Sequence, residues 1–266
     1  MNKKKIIFLC IILVLILTGI ITATKTKNQK PSSIALPPNA EDLRFSNTMV
    51  WAAKLDRLKN ESLIFLQNWE QNIQLPPPPK NTSNETLKEL EILLQYKNLR
   101  TPEKKQEIFH QMELEHTGNI FGGRPLVEYF NEKEFPHTAP LLKDSLHDVS
   151  VIVLKLKEHY DRVRPSILYP ELDTVIEVPG HPAYPSGHST QMHFIAFILG
   201  ELAPERRDEF EREAYAIALN REIAGVHYPS DTEAGKILAR QILGELKKDP
   251  RFVKMFENAQ GEWDTR

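Results

Sequence analysis

Tyr184-Pro185-Ser186-Gly187-His188 runs directly into Gln191 to Leu202, where Met192, Phe194, Ile195, Phe197 and Ile198 read as the core face of a helix. The proline and glycine mark a turn, and Ser186 stands where its hydroxyl can cap the helix that follows. Gly187 carries no side chain, so a ligand can approach the backbone there. A helix opening of this kind offers unpaired N–H groups and the positive end of the helix dipole, which together favour an anion. His188 then sits where a proton can be passed to a bound group. Taken alone, the same residues also describe an ordinary capped turn with an incidental histidine.

Outward from this point the chain keeps helical spacing. Glu85 to Tyr96, a segment capped by Thr101 with Pro102 at its first position, Asp144 to Val163, Gln191 to Leu202, Glu205 to Ala224 and Thr232 to Lys248 carry apolar residues three and four apart. Strand-like alternation is nearly absent and no repeat is visible. Leu75-Pro76-Pro77-Pro78-Pro79 is a stiff extended piece, unable to be helix or central strand. These features predict a mainly α, single-domain helical bundle over residues 41–266, preceded by a polar linker at 25–40.

The balance of 34 Lys+Arg against 36 Asp+Glu gives a formal charge of −2, which supplies no overall cationic field for a nucleic acid. Nucleic-acid partners are therefore not expected. The lone cysteine, Cys10, cannot form an intramolecular disulfide, and no Cys/His spacing suits a structural zinc, so stability is expected to come from packing. Before the linker, Lys3, Lys4 and Lys5 lead into Ile6 to Ala23, 18 uncharged and mostly aliphatic residues. As a helix that run would rise about 27 Å, enough to cross a hydrocarbon core with the lysines on the cytoplasmic side. Residues 1–24 thus read as a signal anchor or a cleaved signal peptide. The length of the run favours the anchor, and Ile21-Thr22-Ala23 is a poor cleavage pattern. Either way the remainder is expected to be exported, as a periplasmic or cell-surface domain, with residues 6–23 as its inner-membrane tether if uncleaved.

Two further segments carry candidate chemistry. Lys157 and Arg164 are seven apart in a segment read as helical, which puts both cations on one side, about 10 Å apart along the axis. Pro165 directly after Arg164 is expected to stop that helix and leave the guanidinium at its end. Arg221 lies near the end of the Glu205 to Ala224 helix, Gly225 is a plausible C-cap, and His227 precedes a new helix read as opening at Ser230 with Glu233 as capping partner. Asp231, four residues beyond His227, can accept the imidazole N–H, fix its tautomer and leave the other nitrogen free to attack. Each segment alone has a bland reading as a solvated face or a dipole partner. Together, over 75 residues, they give three cations, a helix N-terminus and two histidines, one of them with an orienting carboxylate. That set describes an oxyanion-binding hydrolytic site.

Lys157-x6-Arg164-Pro165, Pro185-Ser186-Gly187-His188 and Arg221-x5-His227-x3-Asp231 resemble the tripartite signature of the type-2 phosphatidic acid phosphatase superfamily, which includes the vanadium haloperoxidases. Within it the chain is most similar to the bacterial class A non-specific acid phosphatases. That likeness rests on Leu75 to Pro79 with the acidic helix and Arg100-Thr101 after it, Ala183 to His188, Leu202-Ala203-Pro204 and Asp249-Pro250-x-Phe252. It covers about residues 70–260. Asn220 stands where the superfamily usually has Ser, Ser189 where class A enzymes have Thr, and Pro182 where many have Gly; these departures are expected to tune the pocket without abolishing activity.

The resemblance implies a fold of the acid phosphatase/vanadium haloperoxidase type and a metal-independent phosphomonoester hydrolase. In it His227, held by Asp231, is the nucleophile that forms a phosphohistidine. His188 is the acid and then the base, and Lys157, Arg164, Ser186, Gly187 and Arg221 bind phosphate. His227 is expected neutral and His188 charged, with activity on the acid to neutral side. No cofactor is implied for a phosphatase, where vanadate is an expected inhibitor. Vanadate becomes the cofactor under the alternative reading of a vanadate-dependent haloperoxidase. A membrane-proximal lipid-phosphate phosphatase is a third reading, and a non-catalytic phosphate-binding scaffold a fourth that leaves Asp231 and the second histidine without a use. The expected partner is a small phosphomonoester or a lipid phosphate, and a homo-oligomer is compatible with the sequence. His110, His116, His137, His147 and His159 match no motif position, whereas His181 and His193 are placed in sequence to border the pocket.

Overall fold

The computed structural model describes residues 34–112 and 133–263. The apolar run 6–23, with Cys10, the start of the linker and His116 lie outside the described residues. The helices are α1 (Ala53–Leu58), α2 (Asn84–Tyr96), α3 (Pro102–His110), α4 (Thr138–Tyr160), α5 (Pro165–Leu168), α6 (Gly187–Leu202), α7 (Arg207–Ile223), α8 (Pro229–Leu246) and α9 (Pro250–Trp263), with short 3-10 turns between them. Among the described residues there is no strand. The mainly α class is therefore observed, with α1, α5 and α9 added to the helices read from spacing.

Helix α6 is the axis of the bundle. Met192, Phe194, Ile195, Ala196, Ile198, Leu199 and Leu202 are all buried, covering its circumference, so it must be enclosed on every side. Helices α7 and α8 pack on it most extensively, α4 lies against it, and α9 closes over α4. Asp148, buried in the middle of α4, ties in the chain before the prolines: its carboxylate accepts from the main-chain N–H groups of Ile64 at 2.7 Å, Phe65 at 2.9 Å and Leu66 at 3.0 Å. The extended segment is held in turn by two phenols. Tyr160 donates to Leu75 O at 2.5 Å and Tyr184 to Pro76 O at 2.7 Å, their rings meeting edge to face at 5.0 Å.

Ahead of residue 41, Ile34, Leu36 and buried Ala40 join the cluster around Leu90, Leu93 and Leu168. Two expected helix bounds are corrected. The helix read over Asp144 to Val163 runs from Thr138 to Tyr160. It ends because Asp161 turns left-handed (φ 48), where its carboxylate accepts from the Ser46 N–H at 3.0 Å and from the Ser46 hydroxyl. Arg164 is thus in extended backbone, as a residue before proline prefers, and Pro165 opens α5 instead of stopping a helix. Helix α8 starts at Pro229 with Tyr228 as its N-cap, two residues before the expected cap Ser230. The Ser230–Glu233 cap does not form, because the Ser230 N–H is taken by Glu89 at 2.6 Å.

The crossing of α6 and α8 is tight at Gly235. A Cβ there would lie 2.8 Å from Ser186 O and 2.8 Å from Ser189 Cβ, and the first of these is backbone at the turn that opens α6. Gly235→Ala is accordingly expected to destabilise the fold by about 1–3 kcal/mol, as overpacking of a closed core does, despite alanine's better helix propensity. Urea unfolding measures it; equal or higher stability would show that the two helices can separate freely.

Candidate active site

The site is assembled where the end of α4, the start of α6, the end of α7 and the start of α8 converge. Gly225 turns the chain out of α7 with φ 81, and a Cβ there would fall 2.5 Å from Asp173 O, so only glycine fits. The turn brings His227 back beneath the opening of α8, where its Nδ1–H donates to Asp231 Oδ2 at 3.0 Å. On the other side of the ring, Arg164 Nη1 donates to Nε2 at 3.1 Å. These two contacts fix the tautomer, with the proton on Nδ1 and a lone pair on Nε2. His227 is only 3% exposed. Burial first, then the charges of Arg164, Lys157 and Arg221, hold its basicity well below the usual imidazole range. It is therefore held toward the neutral form, with its lone pair on Nε2.

Asp231 is fully buried and carries more than the histidine. Oδ2 also accepts from the Tyr228 N–H at 2.9 Å, and Oδ1 from Arg162 Nη1 at 2.6 Å. Arg162 continues to Glu89 at 3.0 Å and to Ser230 Oγ at 2.8 Å, with its guanidinium 3.8 Å above the Tyr228 ring. Arg162 and Glu89 are functional supports that the sequence reading passed over. A signal for Arg162 was present in Arg162-Val163-Arg164-Pro165, since extended backbone before a proline puts residues two apart on one side. Glu89 had only its place on the buried face of α2, beside Leu90 and Leu93.

The three expected phosphate-binding cations are all buried here: Lys157 is 1% exposed, Arg164 0% and Arg221 2%. Lys157 and Arg164 do not share a helix, but the Arg164 charge bears on Lys157. Burial and then Arg164 push the Lys157 ammonium well below its ordinary range, while burial and Arg221 lower Arg164. Lys157 Nζ donates to Pro182 O at 2.8 Å and Ala183 O at 2.9 Å. The five N–H donors of Arg164 are all engaged. Nε and Nη2 reach His181 O, Nη2 also reaches His181 Nδ1, and Nη1 reaches Val226 O and His227. Arg221 differs: its Nε and Nη1 are buried with no hydrogen-bond partner among the described residues. Unpaired buried guanidinium N–H groups are costly and call for an anion.

Ser186 caps α6 as expected, accepting from the Ser189 N–H, while its own N–H donates to Asp231 O at 2.9 Å and so links the second and third segments. Gly187 lies against Lys157, whose Cε would be 3.9 Å from any Cβ placed there. The half-buried His188 donates from Nε2 to Gln111 O at 2.9 Å. Burial and then Arg221 drive its pKa down to about 3, against the opposing pull of the Gln111 and Met112 carbonyls. Burial, more than the surrounding cations, thus shifts both histidines toward the neutral form, whereas His188 was expected charged. His181 borders the site through Arg164. His193 points back along α6 to Ser189 O at 2.8 Å and forms no hydrogen bond with the site residues among those described. A phosphoryl group entering here would meet a lone pair, three cations and a helix N-terminus, with a second imidazole for protons.

Residues 146–248 match the PAP2 superfamily. The non-specific acid phosphatase of Providencia stuartii is 28% identical over 236 residues, spanning 82% of this chain and 93% of that protein. That of Salmonella typhimurium is 29% identical over 198 residues, spanning 71% of this chain and 78% of its own. Among solved structures, a bacterial vanadium-dependent iodoperoxidase superposes with a TM-score of 0.55 at 14% identity, covering 76% of this chain and 61% of that one. At that identity the likeness is one of fold.

Proposed function

We propose that this chain, whose residues 146–248 belong to the PAP2 superfamily, is a phosphatase that hydrolyses small phosphomonoesters through a phosphohistidine on His227, without a metal. The observation that carries the reading is the pair of unpaired, buried Arg221 N–H groups beside a neutral imidazole whose tautomer Asp231 fixes. In the first step the Nε2 lone pair of His227 attacks phosphorus and the P–O bond to the alcohol breaks, with a proton from His188 going to the leaving oxygen. In the second, His188 takes a proton from water, the water oxygen bonds to phosphorus, the P–N bond breaks and phosphate leaves. Lys157, Arg164, Arg221, Ser186 and the N–H groups at the start of α6 hold the equatorial oxygens as charge moves. Cationic side chains supply the charge that a metal would otherwise supply. The lysine-led apolar run at 6–23 supports export, and among the described residues no helix is long and apolar enough to cross a membrane.

The test is phosphate release from an aryl phosphate by the full chain, in chelator, from acid to neutral pH, with and without orthovanadate. Turnover is expected to persist in chelator and stop with vanadate. The pH direction follows from His188. Depressed to about 3 by burial and Arg221, it is raised when an anion offsets Arg221, so binding takes up a proton. Affinity for inorganic phosphate should therefore strengthen as pH falls through the raised value in the complex, and level off below the free one. Turnover lost in chelator, or phosphate affinity that weakens with acid, would overturn the reading.

A further inference from the structure

The end of α3 reaches the second imidazole through a chain of contacts that the proposed steps do not use. Asn220, the residue before Arg221, is buried with its amide fully engaged. Nδ2 donates to Gln111 Oε1 at 2.9 Å and to Glu107 Oε1 at 2.8 Å, and Oδ1 accepts from Lys104 Nζ at 3.2 Å. Gln111 is itself buried just past the end of α3, its N–H on Glu107 O and Ile108 O, and its carbonyl is the group that accepts from His188 Nε2. A carbonyl oxygen can only accept, so His188 must carry its proton on Nε2. That leaves Nδ1 as the nitrogen able to exchange a proton with a ligand.

We propose, resting on the phosphatase reading, that Asn220 and Gln111 are positioning residues for the general acid. Asn220 holds the Gln111 side chain, the Gln111 carbonyl holds His188 Nε2–H, and Nδ1 is thereby aimed at the leaving oxygen. The same end of α7 thus sets both the Arg221 cation and, through Gln111, the orientation of the acid. An amide suits this position because two donors are needed, one for Gln111 and one for Glu107; a serine hydroxyl has one. The groups that bear on His188 are Arg221 from α7, Lys157 from α4, His227, and the Gln111 and Met112 carbonyls from the end of α3. The cations oppose the charged ring and the carbonyls favour it. Loosening the Gln111 carbonyl therefore removes support for the protonated acid.

A leaving-group comparison separates this role from a structural one. An alkyl phosphate needs a proton on its departing oxygen, whereas dinitrophenolate leaves without one. For Asn220→Ala and, independently, Gln111→Ala, kcat/KM on the alkyl ester, which reports the P–O cleavage and not the later step in which His188 is the base, is expected to fall by about tenfold or more, part of the 100- to 10,000-fold that positioned acid catalysis supplies. For the dinitrophenyl ester kcat/KM is expected to change by less than about twofold on the same ground. The alkaline limb of kcat on the alkyl ester should also move to lower pH, and Asn220→Ser should fall between wild type and Asn220→Ala. Thermal melting establishes that each variant is folded; if one is not, the other decides. An equal fall on both esters, or no change on either, in a folded variant would overturn the proposal. A wild-type chain inactive on both esters would instead sink the phosphatase reading, so the two failures are distinguishable.

Discussion

Replacing His227 with alanine is expected to abolish turnover, lowering kcat by at least about 10,000-fold, because the attacking lone pair is lost and nothing nearby can replace it. The fold should hardly notice. Asp231 Oδ2 keeps the Tyr228 N–H and Asp231 Oδ1 keeps Arg162, while Arg164 retains its contacts to His181 and Val226. The variant should therefore melt close to wild type and still bind inorganic phosphate through Lys157, Arg164 and Arg221. Rapid-quench labelling with a phosphorus-labelled ester should show a phosphoenzyme in the wild type and none in the variant. Residual turnover within tenfold of wild type would remove His227 from the role of nucleophile.

Asp231 gives the second large effect, of a different kind. Asp231→Ala strips a buried acceptor from His227, from the Tyr228 N–H and from Arg162, which lies 3% exposed and is left with Glu89 as its carboxylate partner. Breaking a buried ion pair from one side costs about 3–5 kcal/mol, so this variant should lose stability as well as activity. Asp231→Asn separates the two effects. It keeps the shape, but one amide oxygen cannot serve both sides, and an amide turned to accept from Arg162 presents N–H to His227 and drives the ring into the wrong tautomer. A fall in kcat of about 1,000- to 10,000-fold with a smaller loss of stability is expected. Urea unfolding beside steady-state kinetics measures both. An Asp231→Asn enzyme with near-normal kcat would show that Asp231 serves the fold alone.

Much of this architecture was legible in the order of residues, for identifiable reasons. Helices α2, α3, α6 and α7 announced themselves by apolar spacing and by local caps such as Thr101, which bonds the Lys104 N–H, and Ser186. The eight site residues were legible because each sits at a helix end or in a turn that Pro or Gly marks. What escaped was decided by partners distant in the chain. Asp161 ends α4 because Ser46, 115 positions away, takes its carboxylate, and Ser230 fails as a cap because Glu89, 141 positions away, takes its N–H. The protonation of His188 escaped for a related reason: spacing places cations near a histidine, but only burial decides how strongly they act. Gln111 gave no local sign, since it contributes a main-chain carbonyl.

The ring of acceptors around Arg164 bears on solvation. In water a guanidinium surrounds itself with solvent that an arriving anion must strip away. Here His181 O, Val226 O and two imidazole nitrogens already occupy those places, and the residue is 0% exposed. A phosphoryl oxygen can take the direction now held by His227 Nε2, releasing that lone pair as it binds, with no hydration shell to disperse and little dipole to reorient. The protein has done at synthesis the dehydration that a surface arginine would have to repeat at every encounter.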